Sequence, residues 1–176
     1  MIVETARFVL RPFSAAVTAD HARLYADPAV TRFLGAGPGP ADEVPERSRR
    51  VVEGFVAHWA RHGFGVWAVH DRADGAFIGQ CGLRYVPEDW GFPAGEVEVL
   101  YAFARARWGA GVAREAAAAA VRHGLDTVGL PRIIAVTHRE HMASRRVLEA
   151  IGLRYEKDVR LLGLDAAYYA IAREGA

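Results

Sequence analysis

EVEVLYAFARARWGAGVAREAAAAAVRHGLDTVGL, residues 96–130, is the stretch whose reading decides the fold. It opens with Val97, Val99 and Tyr101 alternating with Glu96, Glu98 and Leu100, and a period of two predicts a strand. A basic connection comes next, Arg105 to Arg107. Trp108-Gly109-Ala110-Gly111-Val112-Ala113 then runs directly into the alanine-rich segment Arg114 to Val128. Alanine is the best helix former, so a helix is predicted from about Val112. A glycine turn that feeds a helix N-terminus aims several unpaired backbone N–H groups the same way, and the helix dipole adds partial positive charge there. Such a turn suits an anion, above all a phosphate or pyrophosphate.

Taken alone, Gly109 and Gly111 would permit a tight turn and no more. The residues beyond the helix argue for more than that. After Gly129-Leu130-Pro131 comes Ile133-Ile134-Ala135-Val136, an apolar run without polar alternation, as expected of a strand buried on both faces of a parallel pair. Strand, helix and strand then form a right-handed βαβ unit with the anion site at the carboxyl end of its first strand. A dinucleotide site would want G-x-G-x-x-G straight after the strand and an acidic residue ending the second strand. Here Ala104 to Trp108 intervene, the third glycine position is Arg114, and the second strand ends in Thr137-His138. A P-loop is excluded, because G-x-x-x-x-G-K-[ST] occurs nowhere in the sequence.

The run EVLYAFARARWGAGVAREA resembles motif A of the GNAT family of N-acetyltransferases, which bind acetyl-coenzyme A. It is most similar to the branch of ribosomal-protein N-terminal acetyltransferases (RimJ/RimL-like), with its E-[IV]-G-Y…W-G-x-G-x-A-x-E-A run. The resemblance implies that the turn Gly109, Ala110, Gly111, Val112 and Ala113 holds the pyrophosphate of the cofactor through backbone amides. It also implies that main-chain groups near Ala102 and Phe103 pair with the pantetheine arm. Of the flanking arginines Arg105, Arg107 and Arg114, one (Arg107 is the candidate) can reach a coenzyme phosphate, because guanidinium matches phosphate geometry. Solvated loop arginines are the plainer reading.

Length and composition narrow the field. At 176 residues the chain is expected to form a single domain, residues 1–176, with a real core. Its 22 basic and 21 acidic residues nearly balance, which points away from nucleic acid or an anionic membrane as main partner. The lone cysteine, Cys81, rules out an internal disulfide framework and suits a reducing cytosol. Glu4, Arg7 and Arg11 interrupt any apolar opening stretch, and the longest apolar run, Ala116 to Val121, is far short of the roughly 20 residues of a membrane span. A soluble cytoplasmic protein, monomer or homodimer, is expected.

In chain order, Met1 to Phe13 reads as an opening strand stopped by Pro12. Its E-T-x-R-[LF]-x-L-R-x-[FL] pattern is also similar to openings in the branch named above. Thr18 to Ala26 is a short helix. Gly35-Ala36-Gly37-Pro38-Gly39-Pro40 breaks regular structure and is expected to make a mobile loop near the substrate side. Pro45 to His62 is an amphipathic helix with Val51, Val52, Phe55, Val56 and Trp59 on one stripe. His58 and His62 stand at i and i+4, a spacing able to hold a metal. With no third ligand spaced nearby, a solvated helix face is expected and no metal is invoked. Phe64 to His70 and Phe77 to Tyr85 form a hairpin around Asp74-Gly75. Cys81 lies inside its second strand, where core packing is expected rather than a reactive thiol. Pro87 to Ala94, with Trp90, either walls the acceptor site or covers the sheet edge. Met142 to Ile151 is a short helix ended by Gly152, and Leu153 to Tyr155 and Ala167 to Ala172 close the sheet around the turn Leu162-Gly163-Leu164-Asp165.

Acetyl transfer to an amine needs a neutral amine, a polarised carbonyl and a proton for the leaving thiolate. Glu98 matches the glutamate of the E-[IV]-G-Y run and is the first candidate for the base, with Glu96 in reserve; a half-exposed strand carboxylate paired with an arginine is the alternative. His141 to Leu153 resembles the family's N-x-x-S-x-x-V-L-x-x-x-G-F signature. The resemblance implies that Ser144 lies near the cofactor sulfur, as proton donor or pantetheine partner, and that His141 stands at a cofactor-binding position where asparagine is usual. A hydroxyl in a first helical turn can instead simply cap backbone donors. Leu153 replaces the usual phenylalanine. The tyrosine acid of many other members would fall at Leu148, which leaves that role vacant.

The expected fold is therefore a single α/β domain of the GNAT type, a mixed and mostly antiparallel sheet of six or seven strands with helices on both faces. The expected function is N-acetyl transfer from acetyl-coenzyme A to a primary amine, a protein N-terminus or a small molecule. A non-catalytic coenzyme A-binding regulator and a nucleotide-binding module are the alternatives.

Overall fold

Alternating apolar residues pair into one eight-stranded sheet in the computed structural model, which describes residues 1–35, 37 and 39–173. The strands are β1 (Val3–Glu4), β2 (Phe8–Pro12), β3 (Val66–Asp71), β4 (Phe77–Tyr85), β5 (Val97–Phe103), β6 (Arg132–His138), β7 (Arg154–Leu161) and β8 (Leu164–Ala172), in the order β1-β2-β3-β4-β5-β6-β8-β7. Every neighbouring pair is antiparallel except β5 with β6. The opening segment supplies two strands rather than one. Thr5 turns the chain, its N–H donating to the Phe8 carbonyl at 2.9 Å, so that Val3 and Glu4 fold back on β2.

Among the described residues five α-helices cover the sheet: α1 (Thr18–Ala26), α2 (Pro28–Thr31), α3 (Val44–His62), α4 (Val112–Arg122) and α5 (Met142–Ala150). Strand alternation sorts the core into two layers. Trp67, Val69, Cys81, Leu83, Val97, Val99 and Phe103 pack with Ala116, Ala117 and Ala120 of α4 and Leu148 of α5. Val66 and Ala68 point the other way and meet Val52 and Phe55 of α3. The alanines let α4 lie close on the sheet, and buried side chains such as Leu10 and Ile133 each stabilise the fold by about 1.5–3 kcal/mol. Past Arg122 the helix widens into a π-type turn, His123–Val128. Gly124 makes this close packing possible, for a Cβ there would stand 2.5 Å from Leu83 Cδ1.

Cys81 is sealed in the core, and burial pushes its thiol pKa far up. His58 is built into its surroundings more than a solvated face would require. Its Nδ1 donates to the Phe64 carbonyl at 2.9 Å and its Nε2 accepts from the Tyr85 N–H at 3.2 Å. Among the described residues no helix is long and apolar enough to cross a membrane.

Gly82 lets β3 and β4 approach, since a Cβ there would lie 2.5 Å from both the Gly65 oxygen and Val66 Cα. Both are backbone atoms that cannot rotate away. Gly82→Ala is expected to destabilise by about 1–3 kcal/mol, lowering the melting midpoint by roughly 2–12 °C in calorimetry. An unchanged midpoint would contradict this packing.

Candidate active site

The parallel ladder between β5 and β6 consists of one described residue pair, Glu98 opposite Ile134. Beyond it the strands part. On its other edge β5 remains paired with β4 from Tyr85↔Val97 to Gly79↔Phe103. The amide of Ala104 donates to Ile78 and that of Val86 to the Glu96 carbonyl, so even-numbered residues of β5 direct their backbone groups at β4. The alternation aims the amide and carbonyl of Tyr101 at the gap. Trp108 Nε1 already occupies the Phe103 carbonyl at 2.8 Å. The gap is part of a cavity of about 470 Å³ bounded by β5, β6, the glycine turn and α5.

At one end of that cavity stands the turn Trp108 to Gly111. Gly109 and Gly111 hold φ of +75° and +72°, a left-handed conformation costly for other residues. Arg7 braces the turn from β2's approach. Its Nη1 donates to the Ala110 carbonyl at 2.8 Å and its Nε to Glu115 Oε2 at 2.7 Å. The Ala110–Gly111 peptide is trans and planar, so a carbonyl held toward Arg7 turns the Gly111 N–H the opposite way. Gly109, Gly111, Val112, Ala113 and Arg114 all border the cavity. Free amides, an α-helical N-terminus and the absence of side chains at both glycines fit a phosphate there.

A second cavity of about 370 Å³ lies on the α3 side of the sheet and meets the first at Phe33, Leu34, Glu98, Leu100, Tyr101, Val136 and Thr137. Glu98 is 4% exposed at this junction. Arg84 stands directly across from it in the β4–β5 register and donates from Nε to Glu98 Oε1 at 2.7 Å. Oε2 accepts no hydrogen bond from the described protein and is not sealed from the cavity. Burial raises the Glu98 pKa above the ordinary 4.5, while the charge and hydrogen bond of Arg84 oppose the rise. Glu98 is therefore a carboxylate poised closer to neutrality than an exposed one.

Ser144, in the first turn of α5, is buried, and its hydroxyl lies 2.9 Å from that of Tyr101, where either can donate. Tyr101 also reaches the Ser144 carbonyl at 3.2 Å. Burial raises the Tyr101 pKa far above its ordinary value, so the pair stays protonated near neutrality. Thus Ser144 does not cap the helix; its partner is a second hydroxyl in the cleft.

Residues 7–154 match the model of the Acetyltransferase (GNAT) domain. The chain belongs to the GNAT acetyltransferase family. It is 30% identical over 159 residues, 87% of its length, to an FsC-acetyl coenzyme A-N(2)-transacetylase of Aspergillus fumigatus. The matched segments span 61% and 65% of the length of the curated relatives. Among solved structures, an acetyltransferase from Agrobacterium tumefaciens superposes with a TM-score of 0.81 at 25% identity, covering 98% of this chain and 95% of that one. RimJ of Mycobacterium smegmatis, solved with CoA-disulfide, shares the fold with a TM-score of 0.78 at 24% identity, covering 95% of this chain and 82% of that one.

Within this GNAT frame most of the residues singled out from sequence gather around the first cavity, but Ala110 and Glu96 do not. Ala102, Phe103, Arg107, Gly109, Gly111, Val112, Ala113, His141, Ser144 and Glu98 line it. Ala110 does not line it, because its carbonyl is turned to Arg7. Arg107 is tied to Asp71 Oδ2 at 2.7 Å. His141 stacks on Phe33, ring centroids 4.3 Å apart, at the start of α5. Glu96 lies against Tyr168, outside both cavities. In the loop Pro87 to Ala94, Trp90 lines the second cavity, and Phe92 packs on Tyr168 of the interior strand β8 at 5.5 Å rather than over a sheet edge. Gly35 borders the second cavity, while Ala36 and Pro38 of the glycine-proline loop lie outside the described residues. Sequence reading missed Arg7, Arg84 and the pairing of Tyr101 with Ser144. A signal existed for Tyr101, two residues beyond Val99 on the same strand face.

Gly111→Val forces a β-branched residue into a left-handed conformation and disturbs the amides. Affinity for coenzyme A is expected to fall at least about tenfold in calorimetry, the scale of one or two lost charge-assisted hydrogen bonds. Unaltered affinity would remove the turn as the anion site.

Proposed function

We propose that this protein transfers an acetyl group from acetyl-coenzyme A to a primary amine by direct attack. The observation that carries this reading is Glu98, buried where the two cavities meet with one carboxylate oxygen free. A primary alkyl amine has a pKa near 10.4, so only about one molecule in a thousand is neutral near pH 7.4. Glu98 Oε2, directly or through one water, accepts the proton that must leave before nitrogen can attack. Arg84 opposes the rise that burial imposes on the Glu98 pKa and fixes the orientation of the carboxylate.

The thioester supplies the activated acetyl group. The Gly109–Ala113 turn is suited to hold the diphosphate, and the open backbone edge at Tyr101 to pair with the pantetheine arm. Ser144, backed by the Tyr101 hydroxyl, is placed to return a proton to the departing sulfur and fills the acid role left vacant at Leu148. Direct attack is favoured over an acyl-cysteine because Cys81 is sealed and its thiol is held protonated. The family membership and the transacetylase relative support the same chemistry.

Glu98→Gln is expected to lower kcat by about 10²–10⁴-fold, measured as thiol release over a panel of amines, with coenzyme A affinity within about threefold of the parent. Loss of affinity without loss of kcat would dismiss Glu98 as the base. No thiol release by the parent with any amine would favour a binding protein over an enzyme.

The kcat–pH profile carries a second expectation. Glu98 acts as a base when ionised, so the rate falls as pH drops through its raised pKa, above the ordinary 4.5. Arg84→Ala removes the influence that lowers this pKa, and the acid limb is expected to move to higher pH. A limb that stays in place, or moves down, would separate Glu98 from the chemistry.

A further inference from the structure

The second cavity contains a polar locus that acetyl transfer itself does not use. Arg47 precedes Val51 and Phe55 by four and eight residues on α3, so the three form one helical stripe, and all three line the cavity. Its neighbours on the helix are matched: Arg49 pairs with Glu46 and Glu53, and Arg50 with Glu46. Among the described residues Arg47 meets no carboxylate.

Tyr25 lies beside the same space and is oriented from below. His21, fully buried, donates from Nε2 to Gln80 Oε1 at 2.9 Å, and Gln80 Nε2 donates to the Tyr25 hydroxyl at 3.0 Å. With Gln80 as donor, the Tyr25 hydroxyl hydrogen is left for an acceptor in the cavity. Burial lowers the His21 pKa to about 4, so the ring is neutral near pH 7, and with Nδ1 unpartnered its one proton belongs on Nε2, facing Gln80. Burial raises the Tyr25 pKa, and the bond from Gln80 with the charges of Arg84 and Arg47 pull it down, which puts both cations within electrostatic reach of that hydroxyl.

We propose that the acceptor amine also bears a carboxylate, received by Arg47 and the Tyr25 hydroxyl while Glu98 faces the amino group. The proposal rests on the acetyl-transfer reading and narrows it. Two guanidinium groups and one carboxylate, Arg47, Arg84 and Glu98, line this cavity. A polycationic acceptor such as a polyamine or an aminoglycoside would set like charges together, whereas an amine with its own carboxylate meets a partner at each end. Val51, Phe55 and Leu162 provide apolar walls for the carbon skeleton between.

The full chain is assayed for thiol release from acetyl-coenzyme A with L-leucine and 6-aminohexanoate, each beside its carboxamide. Calorimetry measures binding of the same four compounds in the presence of coenzyme A. The better acid is expected to exceed its amide by about tenfold or more in kcat/KM and in affinity, the scale of charge-assisted hydrogen bonds. Arg47→Gln is expected to bring that ratio within about threefold, and Tyr25→Phe to reduce it in part. Arg47 is half exposed, and a melting temperature near the parent's confirms that the variant is folded. An amide that equals or beats its acid overturns the carboxylate subsite, as does a preference that survives Arg47→Gln or failure of all four compounds to bind. Acid-selective binding lost in Arg47→Gln, but without thiol release, sinks the acetyl-transfer reading and leaves the subsite standing.

Discussion

The site depends on two strands that stop pairing. β5 and β6 meet at Glu98 and Ile134 and then separate, although each continues its regular ladder on the outer side, β5 with β4 and β6 with β8. These antiparallel halves supply the hydrogen bonds that hold each strand straight, so the sheet does not close over the gap. Unpaired backbone groups in a sheet interior are costly unless something meets them. At Phe103 the protein satisfies its own carbonyl with Trp108; at Tyr101 the amide and carbonyl face the gap. A cleft between splayed parallel strands thus leaves part of the β5 edge facing a cavity.

Opposing influences act on Glu98 beside that cleft. An apolar surrounding favours the neutral acid, whereas a proton acceptor must be charged. Arg84 opposes the effect of burial from the neighbouring strand, held in register by regular pairing rather than by a loop. The pair is asymmetric: the Glu98 side chain is 5% exposed and that of Arg84 32%. Water can therefore reach the guanidinium more freely than it reaches the carboxylate. Fixed cross-strand geometry of this kind holds the carboxylate in one orientation.

Much of this was legible in the sequence because it is local. The strand–turn–helix of residues 96–130 carries its periodicity, its glycines and its alanines in one run, and the hairpin over β3 and β4 is announced by Asp74-Gly75. The eighth strand was not legible: Thr5 and its bond to Phe8 fold back two residues, too few to show a period. The π-type turn escaped because its cause is tertiary, Gly124 lying against Leu83 and Ile133. Arg84 was hidden for a related reason. It faces Glu98 across a loop of unpredictable span, so the register had to be seen. Arg7 lies 103 residues from the carbonyl it holds, a contact that no window of sequence contains. Tyr101 was read as part of a strand pattern, and that pattern does not reveal that its hydroxyl meets Ser144.

The Arg7 clasp joins the glycine turn to the chain just ahead of β2, next to β1, the two-residue strand at the sheet's margin. Margins fray at lower free energy than interiors. Warming would loosen this corner before the α4 layer melts, releasing the Ala110 carbonyl and the peptide orientation it enforces. The shape of that end of the cavity would then be set by a hem of the sheet, and residues remote from it in sequence would govern the temperature at which it is lost.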